Sequence, residues 1–377
     1  MISVERFFKV FLDNELHFFT GVPDSLLKNF VSYVADTLDG KNHTITSNEG
    51  ASIALAAGYH LATHKIPVVY MQNSGLGNAV NPLVSLTSEK VYNIPMLLLI
   101  GWRGEPNVKD EPQHVMQGAI LLKMLETMDI PYVIIDEDET VSIRKTNQMI
   151  DAAKRLGKPH ALVVRKDVFT PYSLKKTVHN FEMSREDALK IATDSLTEND
   201  VVVSTTGKLS RELFEYRANN KQSHDKDFLT VGSMGHASMI ALGIAKEQPN
   251  VKVYCFDGDG SVLMHAGSLS TIGNSGLENY KHIVFNNGAH ESVGGQDTLG
   301  LKVNFPEIAK HNGYSTVYSV SKMDELKKIL PKFNAEKGVS FLEIKVKMAS
   351  RNNLGRPTKS PKENKLGFMS NLLSNGK

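Results

Sequence analysis

Short apolar runs alternate along the chain with stretches of helical periodicity. Val4–Leu12 carries apolar residues at helical spacing, and His17–Thr20 then reads as a short strand leading into Gly21-Val22-Pro23-Asp24. Glu49–Thr63 is rich in alanine and reads as a buried helix. Pro67–Gln72, Met96–Ile100, Pro131–Asp136 and Ala161–Arg165 are apolar runs of strand length. Strands that lack an apolar–polar alternation are buried on both faces, so this order predicts a parallel sheet covered by helices on both sides. The pattern lapses from Asp167 to Met183, where Pro171, a lysine pair and polar residues intervene, as in an interdomain linker. A second series then begins with a helix at Glu186–Ser195, a strand at Val201–Ser204 and the turn Thr205-Thr206-Gly207-Lys208. Both halves open with a charged helix, a strand and a turn at glycine, Gly21 or Gly207, a weak repeat that predicts two domains of related topology. The expectation is an α/β chain of two doubly wound parallel-sheet domains, at residues 1–167 and 184–348, with a linker at 168–183 and a basic tail at 349–377.

Composition narrows the class. A length of 377 residues suits two domains of ordinary size, and a hydrophobic fraction of 41% supplies a core for each. The balance of 43 basic against 41 acidic residues gives no reason to expect nucleic acid as a partner. Cys255 is the single cysteine, which excludes an intrachain disulfide and a zinc site built of cysteines. Charges interrupt the N-terminal apolar positions, unlike a signal peptide, and the longest apolar run, around Ile94–Trp102, is too short to span a bilayer. A soluble, cytoplasmic protein without a membrane partner is expected.

The chemistry concentrates at two strand ends. Lys252–Phe256 reads as a strand leaving through Asp257-Gly258-Asp259-Gly260; Leu263–Ile272 fits a helix; Lys281–Phe285 is the next strand, ending in Asn286-Asn287-Gly288. In such a β-α-β unit both polar ends lie at the carboxyl edge of the sheet, where open α/β sheets bind ligands. Gly258 and Gly260 let backbone approach phosphate oxygens, and Asp259 with an asparagine amide oxygen suits Mg²⁺ carrying a bound phosphate. A lone Gly-Asp-Gly is most often only a turn. Its pairing with Asn-Asn after 25 intervening residues is far more specific. The pair resembles the metal–diphosphate motif of thiamine diphosphate enzymes. That resemblance implies that Asp259 and Asn287 bind Mg²⁺ by their side chains and Ala289 by its carbonyl. It implies that Gly258, Gly260 and Ser261 border the diphosphate, while Asn286 braces the turn.

Further segments resemble the same enzymes. Val231–Ala237 is similar to their Gly-Ser-x-Gly segment, which assigns Gly232, Ser233 and Met234 to the cofactor, with Met234 as the apolar wedge. Glu49 opens a small-residue helix; a solvated first-turn glutamate would look the same. Beside the second-half motif, the resemblance implies that it is the acid that tautomerises the aminopyrimidine ring, a task helped by a dry site that raises its pKa. Asn73-Ser74-Gly75-Leu76-Gly77 is similar to the family's Ser-Gly-Pro-Gly loop, with Leu76 replacing proline, and brings Asn73 and Gly75 to the cofactor. Lys208 either touches the diphosphate or merely starts a helix.

The short plan, with room for pyrimidine-binding and diphosphate-binding domains only, points to one branch. Phe19–Phe30, Gly101–Ala119 and Leu354–Pro361 resemble the phosphonopyruvate decarboxylase family, of which sulfopyruvate decarboxylases are close relatives. The resemblance implies that 3-phosphonopyruvate becomes phosphonoacetaldehyde and CO₂, the cofactor accepting the electrons that CO₂ leaves behind. It also implies a homo-oligomer, at least a dimer, with active sites at subunit interfaces. Asp24 is the candidate for proton handling near the reacting carbon. A phosphonate favours cations and hydrogen-bond donors, and the candidates are Ser25, Arg103, Lys109, His114, His290 and Arg356. Gly355 and Pro357 bend the chain around Arg356, in a tail with eight basic residues and one acid from Lys345 onward. A sulfopyruvate decarboxylase or a 2-oxo acid carboligase is the alternative reading, with a non-catalytic α/β protein binding Mg-phosphate more remote.

Overall fold

The apolar runs become strands of two six-stranded, wholly parallel sheets. The computed structural model describes residues 1–175 and 179–375. Its first sheet contains β1 (Phe19–Gly21), β2 (His43–Ile45), β3 (Val68–Gln72), β4 (Leu97–Gly101), β5 (Tyr132–Ile135) and β6 (His160–Val164), in the order β2-β1-β3-β4-β6-β5. The flanking helices are α1 (Val4–Asp13), α2 (Lys28–Thr37), α3 (Glu49–Thr63), α4 (Leu76–Leu86), α5 (Pro112–Thr127) and α6 (Glu139–Leu156). Side chains alternate across each central strand, so one apolar run feeds two cores. On β4, Leu97 and Leu99 join the cluster with Phe7, Phe11 and Phe30, while Leu98 and Ile100 join that with Ile53, Leu76 and Leu121.

The second sheet contains β7 (Val201–Ser204), β8 (Asp227–Leu229), β9 (Val253–Gly258), β10 (Tyr280–Asn286), β11 (Thr316–Val320) and β12 (Ser340–Lys345), in the order β11-β12-β10-β9-β7-β8. Its helices are α7 (Arg185–Asp194), α8 (Lys208–Asn219), α9 (Ala237–Glu247), α10 (Asp259–Met264), α11 (Ser268–Gly273), α12 (Phe305–His311), α13 (Met323–Ala335) and α14 (Pro361–Asn375). Tyr254 and Phe256 face one core, Val253 and Cys255 the other. Numbered from its own first strand, each sheet reads 2-1-3-4-6-5. The fold is thus two doubly wound parallel-sheet domains, as the alternation predicts.

The chain divides into two compact units, Met1–Lys176 with His290–Gln296, and Thr177–Ala289 with Asp297–Lys377. Part of the expected linker, at 176–178, lies outside the described residues. Its first residues pack into the first unit: Val168 and Phe169 are core, and Val168 O accepts from Ile2 N at 2.8 Å. The helix expected at Leu263–Ile272 is two short helices. It begins earlier, at Asp259, and breaks across His265–Gly267. The basic tail also differs from a solvated one. Its last part is α14, whose Phe368 is buried in the second core. Asn364 donates to Asp227 O (2.8 Å) and accepts from Leu229 N (3.0 Å), so α14 satisfies the outer edge of β8, a strand end otherwise open to pairing.

Candidate active site

In the first unit the chemistry gathers beyond the ends of β1, β3 and β4. Glu49 is the first residue of α3, after the N-cap Asn48. It is 5% exposed, and its Oε2 accepts from Asn78 Nδ2 at 2.8 Å. Burial raises its pKa, against the smaller opposing effect of Asn78. Gly75 packs so closely on Glu49 that a Cβ there would collide with Oε1, which explains a glycine at this point of the loop. Asn73 is buried too, but its amide is bound to the Arg103 backbone, donating to Arg103 O (2.8 Å) and accepting from Arg103 N (3.1 Å).

Asp24 is fully buried. Gln72 Nε2 donates to its Oδ1 at 2.7 Å, and the amides of Leu26 and Leu27 donate to Oδ2. Burial raises its pKa, opposed by Gln72, the Leu26 amide and the charge of Arg103. Arg103 forks onto Asp110 with two hydrogen bonds and donates Nη1 to Ser25 Oγ at 2.7 Å. Asp110 also accepts from Gly104 N at 2.8 Å. Beside this pair, burial and the Arg103 charge hold His114 down at a pKa of about 4, so its ring is neutral at physiological pH. Asp24, Ser25, Arg103 and His114 thus come together, whereas Lys109 is exposed on the same loop. His290 belongs to this unit through the loop His290–Gln296, which is closed by His290 N to Gln296 O at 2.8 Å. Gln296 Nε2 donates to Ser32 Oγ at 3.1 Å, and burial lowers the His290 pKa to about 4.

In the second unit the site gathers beyond β7, β9 and β10. Asp259, 3% exposed, opens α10. Thr298 Oγ1 donates to its Oδ2, and the amides of Asp259, Asn287 and Gly260 also hydrogen-bond the carboxylate. Burial nevertheless raises its pKa to about 6, with hydrogen bonds alone opposing that rise. A carboxylate destabilised in this way is suited to a cation. Gly300 lies against it at a distance that no Cβ would fit. Asn287 is buried next to it, its Oδ1 accepting from Ala289 N at 3.1 Å. Asn286 is fully engaged in bracing, donating to Gly300 O (2.8 Å) and Glu343 Oε1 (2.7 Å) and accepting from Gly288 N.

The Gly232–Gly235 turn joins the same edge. Gly232 N donates to Thr206 Oγ1 at 3.0 Å and Gly235 N to Ser261 Oγ at 3.1 Å, while Ser261 Oγ also meets Thr205 Oγ1 at 3.0 Å. Gly232, Ser233 and Gly235 all have positive φ, which fixes the turn that presents the half-buried Met234. Lys208 begins α8 and donates to Ser350 Oγ. Arg356 is exposed beside a segment held by α8: Arg211 Nε donates to Gly355 O at 2.7 Å, and Gly355 N to Glu215. Arg351 joins Glu186 and Glu215 beside it.

Sequence reading missed Asp110, Gln72, Asn78 and Thr298. An Asp seven residues after Arg103 was the only local signal among them; the others meet their partners through the fold alone.

Comparison with known proteins fits this geometry. The N-terminal TPP-binding domain of thiamine pyrophosphate enzymes matches residues 3–125, and the C-terminal TPP-binding domain matches 205–344. The chain is 34% identical to phosphonopyruvate decarboxylase of Streptomyces viridochromogenes, over 91% of this chain and 88% of that one. It is 32% identical to phosphonopyruvate decarboxylase of Streptomyces hygroscopicus, covering 91% and 87%. Sulfopyruvate decarboxylase of Methanosarcina acetivorans is 28% identical, covering 91% and 90%.

Proposed function

The chain belongs to the thiamine pyrophosphate enzyme family, and within it we propose a Mg²⁺-dependent decarboxylase that converts 3-phosphonopyruvate to phosphonoacetaldehyde and CO₂ in the cytoplasm. The observation that carries the reading is Glu49: a buried acid at a helix start, with a raised pKa and a glycine pressed against it. A protein that merely binds Mg-phosphate has no use for such a group in its other unit. The substrate class rests on the similarity to two phosphonopyruvate decarboxylases over most of each chain. The 28% identity to a sulfopyruvate decarboxylase keeps sulfopyruvate as the second reading.

Thiamine diphosphate, when bound, supplies an electron-accepting thiazolium ring for the bond that breaks. Glu49 would hold the proton for the aminopyrimidine, a role favoured by its dry surroundings. Asp259, the Asn287 side chain and the Ala289 carbonyl would hold Mg²⁺, an all-oxygen set suited to that ion. Gly258, Gly260 and Ser261 would border the diphosphate, and Met234 would support the rings. Asp24 is poised to hold a proton near the reacting carbon. Ser25, Arg103 and His114, already gathered, are the first unit's candidates for the phosphonate, with His290, Lys109 and Arg356 as further donors.

A second copy of the chain completes the proposal. The outward face of α3 is apolar, with Ala51, Ala54, Leu55, Gly58, Leu61 and Ala62 all exposed. A second copy covering that face would take this apolar stripe out of water beside Glu49. No helix of the described residues is long and apolar enough to cross a membrane. The test is CO₂ release from phosphonopyruvate, sulfopyruvate and pyruvate with thiamine diphosphate and Mg²⁺ supplied. Turnover is expected to be highest with phosphonopyruvate and to vanish without cofactor. Higher turnover with sulfopyruvate would transfer the assignment, and no release from any 2-oxo acid would end it.

A further inference from the structure

Three side chains with metal-ligand chemistry meet behind the Asp257–Asp259 turn, and the proposed reaction uses none of them. Cys255 and Asp257 are two apart on β9 and so share one face. His282 on β10 stands opposite Cys255 in the parallel register. All three are at most 1% exposed, and one ligand atom from each lies within 4.8 Å of the others. Asp257 Oδ2 and His282 Nε2 make no hydrogen bond. They face each other at 3.4 Å. That is long for a charge-assisted hydrogen bond. It matches a tetrahedral edge: with Zn–N and Zn–O bonds of about 2.0–2.2 Å, nitrogen and oxygen ligands stand roughly 3.3–3.5 Å apart.

The other ends of these side chains are already fixed. Asp257 Oδ1 accepts from Gly258 N at 2.9 Å, and His282 Nδ1 lies 3.1 Å from Tyr314 Oη. Outer contacts of this kind hold ligating carboxylates and imidazoles in place. Charge also balances, since a thiolate, a carboxylate and a neutral imidazole neutralise a divalent ion where no solvent can. A thiolate with an imidazole favours zinc over magnesium or calcium.

We propose that Cys255, Asp257 and His282 bind a structural zinc ion, distinct from the Mg²⁺ assigned to Asp259. Binding releases the thiol proton to solvent. The Tyr280 hydroxyl, hydrogen-bonded to the Cys255 thiol, offers an oxygen for the fourth position. Because the cluster is sealed, the ion enters as the chain folds. It ties β9 to β10 directly behind the turn that carries Asp259.

The test is the metal content of full-length protein expressed with zinc and purified without chelator into Mg²⁺ buffer. Mass spectrometry is expected to find one zinc per chain after desalting. Cys255→Ser and His282→Leu should each lower zinc by about tenfold or more. Protein produced with cobalt in place of zinc should show thiolate-to-cobalt charge-transfer absorption, absent from Cys255→Ser. If either variant fails to fold, zinc content and the cobalt spectrum of the unsubstituted protein still decide. Absence of stoichiometric zinc, or a cobalt spectrum without the thiolate band, overturns the site and leaves a His282–Asp257 ion pair. Full zinc retention in both variants overturns it as well.

Discussion

The two units share a strand order but fill equivalent places with opposite chemistry. Before and after the first strand of the first unit, α1 and α2 bury Phe7, Phe11 and Phe30 against Phe19, with ring centroids 5.2–6.4 Å apart. In the same positions of the second unit, Arg185 of α7 forks onto Glu212 of α8 through bonds of 2.8 and 2.7 Å. Both partners are at most 9% exposed. Close by, Arg217 of α8 pairs with Asp227 of β8, also in two hydrogen bonds. One topology therefore tolerates an aromatic cluster or an apolar core with buried ion pairs added to it. The two differ in how they respond to damage. An apolar core yields gradually as volume is removed, whereas half of a buried ion pair leaves a stranded charge.

Breaking that contrast gives the largest effect expected on stability. Arg185→Met leaves Glu212 uncompensated and should cost about 3–5 kcal/mol in denaturant unfolding. The double change Arg185→Met, Glu212→Leu should recover most of the loss. Phe7→Leu at the equivalent place should cost less, about 1–2 kcal/mol. Equal losses from the two single substitutions would mean that the charge pairing adds nothing to plain packing.

The acids at the strand ends differ as well. Glu49 in the first unit is raised by burial and restrained by Asn78, while Asp259 in the second is wrapped by hydroxyl and backbone donors. That difference suits the proposed division, a proton-handling acid in one unit and a cation-binding acid in the other. Glu49→Gln should lose about a hundredfold or more in turnover, the scale of a lost general acid–base group, while cofactor still binds. Near-normal turnover in this variant would remove Glu49 from the chemistry. Asp259→Ala should instead raise the thiamine diphosphate and Mg²⁺ needed for half-maximal activity, by about tenfold or more, since even an outer partner of a metal is worth that much. An unchanged requirement at several Mg²⁺ concentrations would take Asp259 out of the site.

The fourth strands sharpen the contrast further. β4 opens with Leu97, but β10 opens with Tyr280 and Lys281, the latter wholly buried. Lys281 Nζ donates to Glu336 O (2.6 Å) and Ser340 Oγ (3.0 Å) and lies 5.5 Å from the Phe333 ring centre. Burial, with a smaller push from Lys252, lowers its pKa from 10.5 to about 8, against the pull of Glu336. Between those values the unfolded chain holds the extra proton, so stability rises with pH across the window. Below about 8 the ammonium is charged in both states and its burial penalty is complete. Urea midpoints from pH 7.5 to 10 should therefore climb more steeply in the unsubstituted protein than in Lys281→Met. Parallel profiles would show that Lys281 is not the titrating group.

What the sequence revealed follows from the range over which each signal acts. The doubly wound sheets were legible because fully buried strands such as Leu97–Gly101 read as unbroken apolar runs. Asp257–Gly260 and Asn286–Gly288 were legible because a strand end fixes both chemistry and spacing. The three-residue strand β8 was missed, since its pairing depends on β7 and its outer edge is satisfied by Asn364 of α14. That contact spans more than a hundred residues, and a basic, lysine-rich segment gives no local sign of it. Asp110 was missed for a related reason. Arg103 reads from sequence as a free cation, and only the fold turns the two into a neutral pair.

That last pair bears on which unit supplies the cation for the phosphonate. Arg103 in the first unit is already held by Asp110 and Ser25. Arg356 in the second is exposed, next to Gly355, whose backbone is held by Arg211 and Glu215. A guanidinium can hold a dianion through two parallel hydrogen bonds, and Arg356 follows the bent-segment glycine Gly355 in the stretch that resembles the decarboxylase family. Arg356→Ala should then raise KM for phosphonopyruvate, by about tenfold at most for one exposed charged contact, and lower the preference over pyruvate. Cofactor binding should not change, because the substitution lies away from Asp259 in sequence and leaves the Gly355 clasp intact. Steady-state kinetics with both substrates make the check. An equal loss towards phosphonopyruvate and pyruvate would mean that the bend serves only structure, and Arg103 would then carry the phosphonate with Asp110 as its positioning partner.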